Sequence, residues 1–407
     1  MAYWNQEILM NELVRNGTIM LDRGRVISSI DLAKNIGYYP VYSSSAQKNG
    51  LFGSFGEYDF NEELITWSVD GGGYFFYRPK HKFSVTNVSG ILRVSNQDEL
   101  NYKFLYYLLS YQHSNQVYDY VDKAHPSVIK KKYFIPKLNI TEQRKIAEIL
   151  TKVDDAITQT EQLIAKYQRI KTGLMQDLLT KGIDKHGNIR SEETHEFKDS
   201  PLGRIPVEWD CNSLSKGIKH ISDYRGKTPP YQDNGIPVIS AETVSKGKLK
   251  PFVKFVSEYT YSIWLTREIP KGGDIIFTME APVGEIAIFP KKNRHLLTRR
   301  VIAFHTNEKK LLSEFLYYQL LIFQENGMWS PKIIGSTVPR ILKPDVTTQK
   351  IAFPDPTEQL SILKVIRNQV DAIESEKLKC NKLYDLKQGL MQDLLSGKKR
   401  VTHLLNN

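Results

Sequence analysis

From residue 146 onward the apolar positions recur at alternating spacings of four and three: Ile146, Leu150, Val153, Ile157, Ile164, Tyr167, Leu174 and Leu178, interrupted only by Thr160 and Lys171. The same spacing returns 216 residues later at Ile362, Ile366, Ile373, Cys380, Leu383, Leu390 and Leu394, where Gln369, Glu376 and Lys387 are the exceptions. This period lines one narrow face of an α-helix with apolar side chains and suits a second helix laid alongside. At 1.5 Å per residue a helix of 39 residues is ~58 Å long, and such a rod has to bury its stripe against something. Its own duplicate carries a stripe of the same length and register, and is the natural partner; a seam between two separate chains is the alternative.

The duplication is written in the residues themselves. Residues 141–179 align without a gap on 357–395, with 16 identities that include TEQ (Thr141 to Gln143, Thr357 to Gln359), DAI (Asp155 to Ile157, Asp371 to Ile373) and GLMQDLL (Gly173 to Leu179, Gly389 to Leu395). Thr141 and Thr357, each followed by a Glu, read as N-caps. Gly173 and Gly389 inside the helical pattern suggest a close approach or a bend. FLYY at Phe104 to Tyr107 and again at Phe315 to Tyr318, and Trp4 with its counterpart Trp209, extend the repeat beyond the helices. Between them YYPVYSSS, ITWSVDGGGYFFYR, GDIIFTM and EIAIFP are β-branched and aromatic runs punctuated by turn residues, so the heads combine strands with a helical patch. The fold class is α+β: two mixed α/β globular domains and two long helices. The divisions are 1–137 for the first head, 138–180 for the first helix, 181–206 for a polar linker, 207–353 for the second head, 354–397 for the second helix and 398–407 for a tail.

Composition changes this picture in two ways. The longest apolar runs, such as FLYYQLLIF, fall far short of the ~20 residues of a membrane span. The opening residues lack a secretory signal's pattern, and two cysteines, Cys211 and Cys380, build neither a disulfide framework nor a zinc site, so a cytoplasmic protein is expected. The net charge of +11 points to a polyanionic partner, and it is unevenly placed: +2 in 1–137, −1 in 138–199, +8 in 200–353 and +2 in 354–407.

Catalytic chemistry finds little support. Gly226-Lys227-Thr228 lacks the first glycine of a phosphate-binding loop, Ile221 standing in its place. Thr228-Pro229-Pro230-Tyr231 resembles the tetrapeptide of amino-methyltransferases, with Thr228 where Asp, Asn or Ser is needed, and the glycines of Phe52 to Gly56 are wrongly spaced for a cofactor loop. The histidines show no metal-ligand spacing, Glu308-Lys309-Lys310 reads as a solvated turn, and Cys380 as a small buried hydrophobe on the seam. No catalytic residue and no metal ligand is assigned.

The tandem heads and helices, the TEQ entry, the DAI step, the GLMQDLL exit and the PLGRIPVEW opening at 201–209 together resemble the DNA specificity subunit of type I restriction-modification systems over essentially the whole chain. The resemblance implies a non-enzymatic subunit that reads double-stranded DNA with its two heads, one half of a split target each. It implies that the helices lie antiparallel as an intramolecular coiled coil, set the spacing and dock two methyltransferase subunits, and that a restriction subunit joins them. No cofactor is expected in this chain, S-adenosylmethionine, ATP and magnesium belonging to the partners. For DNA contact the expected residues are basic or polar side chains in Gly- and Ser-rich loops: Arg23, Arg25, Ser44, Lys48, Asn49, Arg78, Lys80 and Lys82 in the first head, and Arg225, Lys227, Tyr231, Lys246, Lys248, Lys292, Arg294, Arg299 and Arg300 in the second. Ser336, Thr337 and Arg340 follow Gly335, where the family often has a contact loop, and His125-Pro126-Ser127 takes the corresponding place in the first repeat without the glycine. Open alternatives are a recognition subunit whose cutting and methylating partners are one fused chain, a stand-alone methyltransferase, and a helical scaffold that binds protein.

Overall fold

The computed structural model describes the chain apart from residues 1–3, 5, 46, 71, 115, 117–122, 225–227, 266–268, 293 and 406–407. It divides into two units, Met1–Leu163 with Glu376–Asn407, and Ile164–Ser375. Two continuous helices, Ile140–Thr180 and Pro356–Leu395, each contribute to both units.

Each unit has the same base. In the first, Glu7–Leu9 pairs antiparallel with Phe134–Pro136 just ahead of the long helix; in the second, Asp210–Ser213 pairs antiparallel with Lys350–Phe353. The FLYY residues lie on helices Tyr102–His113 and Ser313–Glu325, whose Phe104, Leu105, Phe315 and Leu316 are buried. The glutamines of the two TEQ triplets fasten these parts together. Gln143 Nε2 donates to the carbonyls of Glu99 and Leu138 (2.9 and 3.0 Å) while its Oε1 accepts from the Asn101 amide at 2.9 Å. Gln359 repeats the arrangement, donating to Lys310 and Pro354 (both 2.8 Å) and accepting from the Leu312 amide at 2.8 Å. Both glutamines are buried, so each needs these partners to avoid an unsatisfied amide.

The glutamates of the triplets make a clasp in each unit. Glu358 accepts two hydrogen bonds from Arg190 (2.5 and 3.2 Å), one from the Trp209 indole at 3.1 Å and one from the Ile183 amide at 3.1 Å. Glu142, fully buried, accepts two from Arg400 (2.7 and 2.6 Å), whose guanidinium lies 5.4 Å from the Trp4 ring. In both units the arginine follows the C-terminal end of one long helix and the glutamate opens the other. Just past each helix end a glycine with positive φ, Gly182 (+66°) or Gly397 (+82°), lies against the tryptophan: a Cβ there would sit 2.4 Å from Trp209 or 2.6 Å from Trp4. Only glycine fits both the backbone conformation and the close approach. Segment 181–206 is accordingly folded, with a hairpin of Phe197–Ser200 and Gly203–Pro206, and Val401 of the tail is buried in the first core.

Within each unit the helix segments run antiparallel. In the first, Lys387 Nζ meets Asp154 at 2.7 Å and the Tyr384 hydroxyl donates to Glu161 at 2.6 Å. In the second, Gln369 Nε2 donates to the Tyr167 carbonyl at 3.2 Å. The seam positions Ile146, Leu150, Ile157, Leu178, Ile362, Ile366, Ile373, Cys380 and Leu394 are buried, and Val153, Ile164, Tyr167, Leu174, Leu383 and Leu390 half-buried. Polar interruptions of the stripe are used: Thr160 is buried with its hydroxyl on the Ala156 carbonyl at 2.7 Å.

Two local expectations are corrected. The helices begin two residues earlier than Thr141 and Thr357 as caps imply, and their caps are Asn139, whose Oδ1 accepts from the Glu142 amide at 2.7 Å, and Asp355, whose Oδ1 accepts from the Thr357 amide at 2.9 Å. Pro356 occupies the first turn of the second helix, where its missing N–H is not needed, so Thr357 is already inside. Gly173 and Gly389 are exposed, and a Cβ at either would meet nothing within 4 Å, so neither marks a close approach.

The heads differ. The first is a six-stranded sheet in the spatial order Ile19–Arg23, Ser89–Val94, Phe60–Ser68, Phe75–Val85, Tyr39–Tyr42, Leu51–Phe55, antiparallel except between Phe75–Val85 and Tyr39–Tyr42. The second has a four-stranded antiparallel sheet, Ile218–Asp223, Val301–Thr306, Ile275–Thr278, Ile286–Ile288. Beside it lie three short strands, Phe255–Val256, Ile236–Ile239 and Leu296–Leu297, and a hairpin of Val244–Ser245 and Lys248–Leu249.

Candidate nucleic-acid interface

In the second unit the structure gathers the cationic loops around two adjoining clefts. The segment Ile334–Arg340 closes on itself, its end residues exchanging backbone hydrogen bonds of 2.8 and 2.9 Å, and Gly335 (φ +87°), Ser336 and Thr337 form its exposed tip. Bonds from the Ala281 amide to the Pro339 carbonyl (3.1 Å) and from Ile341 to Met279 (2.9 Å) tie it to the end of Ile275–Thr278. Arg340 and Arg299 thereby line a cleft of about 410 Å³ together with Asp223, Glu280 and Lys343. Arg299 also faces a second cleft of about 190 Å³ with Arg300, Tyr231, Glu242 and Lys254. Acidic neighbours hold several of these cations in place: Arg300 pairs with Glu280 at 3.0 Å, Lys343 with Asp223 at 3.3 Å and Lys254 with Glu242 at 3.0 Å.

Other residues of the second head lie apart from the clefts. Lys246 (φ +48°) and Lys248 are exposed on the Val244–Leu249 hairpin, where the Lys246 amide donates to Glu285 at 2.5 Å. Arg294 is engaged by Glu258 (2.5 and 2.8 Å), and Lys292 is exposed. Arg225 and Lys227 lie outside the described residues. Lys254 and Lys343 were not singled out in the sequence: Lys254 sits within the apolar run PFVKFV and Lys343 before a proline, and neither has the Gly- or Ser-rich setting of a contact loop.

The first unit offers a looser set. Lys48, Asn49, Lys80 and Lys82 are exposed, Ser44 is half-buried, and Lys82 Nζ lies 4.7 Å from the Tyr58 ring and 5.6 Å from that of Tyr39. Arg25 is paired with Asp59 (2.9 and 3.0 Å), and Arg23 donates to the Asn87 carbonyl. Arg78 corrects the expectation of a surface contact: it is 1% exposed, because its place on Phe75–Val85 turns the side chain into the head. His125-Pro126-Ser127 is also unlike Gly335 to Thr337, Pro126 starting a single helical turn.

Among the described residues no three His, Cys, Asp or Glu side chains cluster as metal ligands, and no helix is long and apolar enough to cross a membrane. What the clefts offer chemically is a set of fixed guanidinium and ammonium groups with an aromatic ring beside them, a surface suited to phosphates and base edges.

A family model described as type I restriction modification DNA specificity domain matches twice, at residues 12–169 and 210–383, once per repeat. A type I restriction enzyme specificity subunit of Methanocaldococcus jannaschii is 27% identical over 384 residues, covering 90% of this chain and 88% of its own length. A second specificity subunit of that organism, there called putative, is 27% identical over 80% of this chain and 74% of its own. The S subunit of a type I restriction-modification system from M. genitalium superimposes with a TM-score of 0.59 at 15% identity, covering 97% of this chain and 96% of its own. With a repeated base, two unlike heads and a family match in each repeat, the chain belongs to the type I restriction-modification DNA specificity family, as a non-catalytic DNA-recognition subunit.

Proposed function

We propose that this chain reads an asymmetric, two-part DNA target, each head contacting one half, with the paired long helices serving as spacer and as the docking surface for two methyltransferase subunits that a restriction subunit joins. S-adenosylmethionine, ATP and magnesium act in those partners, and the complex works in the cytoplasm. The observation that carries the reading is the repeated base, with the same glutamine ties and the same clasp in both units, supporting heads whose sheets and charged loops differ. Equal supports with unlike readers suit a target of unlike halves. The residues assigned to DNA are the exposed cations of the first head and the cleft-lining Arg299, Arg300, Arg340 and Tyr231 of the second, joined by Lys254 and Lys343.

Mapping methylated bases genome-wide in cells with and without the chain tests this. The expected result is one motif of two different short sequences around a fixed unread gap; a contiguous or palindromic motif overturns it. Four residues inserted near Thr160, with a matching insertion beside Tyr384 on the facing helix, lengthen the gap and leave both halves intact. One helical turn is ~5.4 Å, against ~3.4 Å per base step. Because the first head carries little net charge, the isolated chain binds DNA loosely, and the salt dependence of log K steepens on assembly with the methyltransferase subunits.

A further inference from the structure

Arg78 is a cation of the first head that the DNA-reading assignment leaves unused. Its guanidinium is buried, yet among the described residues no carboxylate pairs with it. Nε donates to the Thr66 hydroxyl at 3.0 Å, Nη1 donates to the Asn49 carbonyl at 2.9 Å, and the group lies 3.6 Å from the Tyr42 ring centroid. Nη2 is buried with no hydrogen-bond partner among the described residues. Burial lowers its pKa to about 10, so the group stays cationic near neutral pH.

A buried charge with so few partners is costly to keep unless it does something a neutral side chain does not. The Asn49 carbonyl shows what that is. Lys48 (φ 48°, ψ 38°) and Asn49 (φ 53°, ψ 34°) are consecutive non-glycine residues in the left-handed region, which a lysine rarely adopts and which persists only where the surroundings impose it. Both side chains are exposed, while Gly50 behind them packs against Arg78 and its carbonyl accepts from the Ser43 amide at 2.8 Å.

We propose that Arg78 is a positioning residue for recognition: its fork spans from Thr66 on the sheet to the Asn49 carbonyl, and so locks the left-handed Lys48-Asn49 turn in the shape that presents these two side chains to the DNA half read by the first head. The proposal rests on the DNA-reading assignment above. Lysine does not replace it, because one ammonium on a flexible stem does not hold two acceptors in one plane.

The test uses the full chain assembled with its methyltransferase subunits and measures methylation of targets with single base-pair changes in each half. Lys48→Ala first identifies the base pairs that the turn reads; if the wild-type assembly shows no two-part target at all, the functional reading fails and not this inference. Arg78→Lys is expected to lower discrimination at those same base pairs by about tenfold, with discrimination in the other half unchanged. At the base pairs identified with Lys48→Ala, the double variant Arg78→Lys with Lys48→Ala should be no worse than Lys48→Ala alone, since there the two act through one side chain. Full activity of Arg78→Lys would show that only the charge matters, and additive losses would show that Arg78 meets DNA independently; either result overturns the proposal. Thr66→Val, which removes the sheet end of the fork and keeps the guanidinium, should reproduce the selective loss even where an Arg78 variant folds poorly, and its silence counts against the idea.

Discussion

Glu142 and Glu358 occupy the same place in the two repeats, and each receives an arginine from beyond the end of the other long helix; the sheets above them share no such correspondence. The arginines differ too. Arg190 is about nine-tenths buried and shares its glutamate with the Trp209 indole, whereas Arg400 is 46% exposed and stacks near Trp4, which donates instead to the Leu395 carbonyl at 3.0 Å. A clasp that closes a fold recurs because its geometry is set by the helix pair. A reading surface diverges because nothing in the base depends on it.

The comparison breaks most sharply at the clasps. Glu358→Ala strands Arg190, the Trp209 indole and the Ile183 amide in a buried site, and is expected to destabilise the chain by ~3–5 kcal/mol, read by urea unfolding. Arg400→Met should cost less, ~1–3 kcal/mol, because Arg400 itself is 46% exposed and the buried Glu142 it leaves can take up a proton instead of remaining an unpaired charge. Equal losses would show that burial does not distinguish the two. Next comes Gly182→Ala, which forces a side chain into positive φ and against Trp209, for a loss of about 1–3 kcal/mol in thermal unfolding.

The heads are compared by charge. Arg299→Ala, removing a cleft cation that pairs with no acidic side chain among the described residues, should weaken DNA binding by about tenfold at low salt and reduce the salt slope by about one; Arg294→Ala, already neutralised by Glu258, should leave both nearly unchanged. If the two variants behave alike, the clefts are not the interface. Gly173→Ala, at a helical glycine with open space around it, should stabilise by ~0.5–1 kcal/mol, the reverse of Gly182→Ala.

The smallest effect concerns pH. The Glu161 carboxylate, accepting from the Tyr384 phenol, raises that phenol's pKa to about 12, against about 10 in an unfolded chain. The folded state thus favours the neutral phenol, a contribution fully present below pH 10 and lost as pH rises through about 12. Tyr384 is half-exposed, so Tyr384→Phe should lower the melting temperature only slightly near pH 8, with the gap closing at the alkaline end. A gap that widens there contradicts the assignment.

Much of the base was legible in the residues. Helical periodicity is a local property, so Ile146 to Leu178 and Ile362 to Leu394 announced the stripes, and the gapless alignment announced the repeat. The role of TEQ was not legible: Gln143 answers to Asn101 and Glu99, and Glu142 to Arg400, partners that no spacing reveals. The site was harder. Residue type and loop setting pointed to Arg299, Arg300, Arg340 and Tyr231, which the fold does bring to adjoining clefts. The same criteria also selected Arg78, which a strand turns inward, and passed over Lys254 and Lys343, which ion pairs with Glu242 and Asp223 hold at the cleft walls.

By itself the sequence determined the two long helices, their apolar faces and the doubling of the whole plan, because each of these follows from the order of side chains along a backbone of known pitch. Only the tertiary structure decided which glycines must remain glycine, which acid meets which arginine and which cations face outward, because those depend on segments hundreds of residues apart arriving at the same point in space.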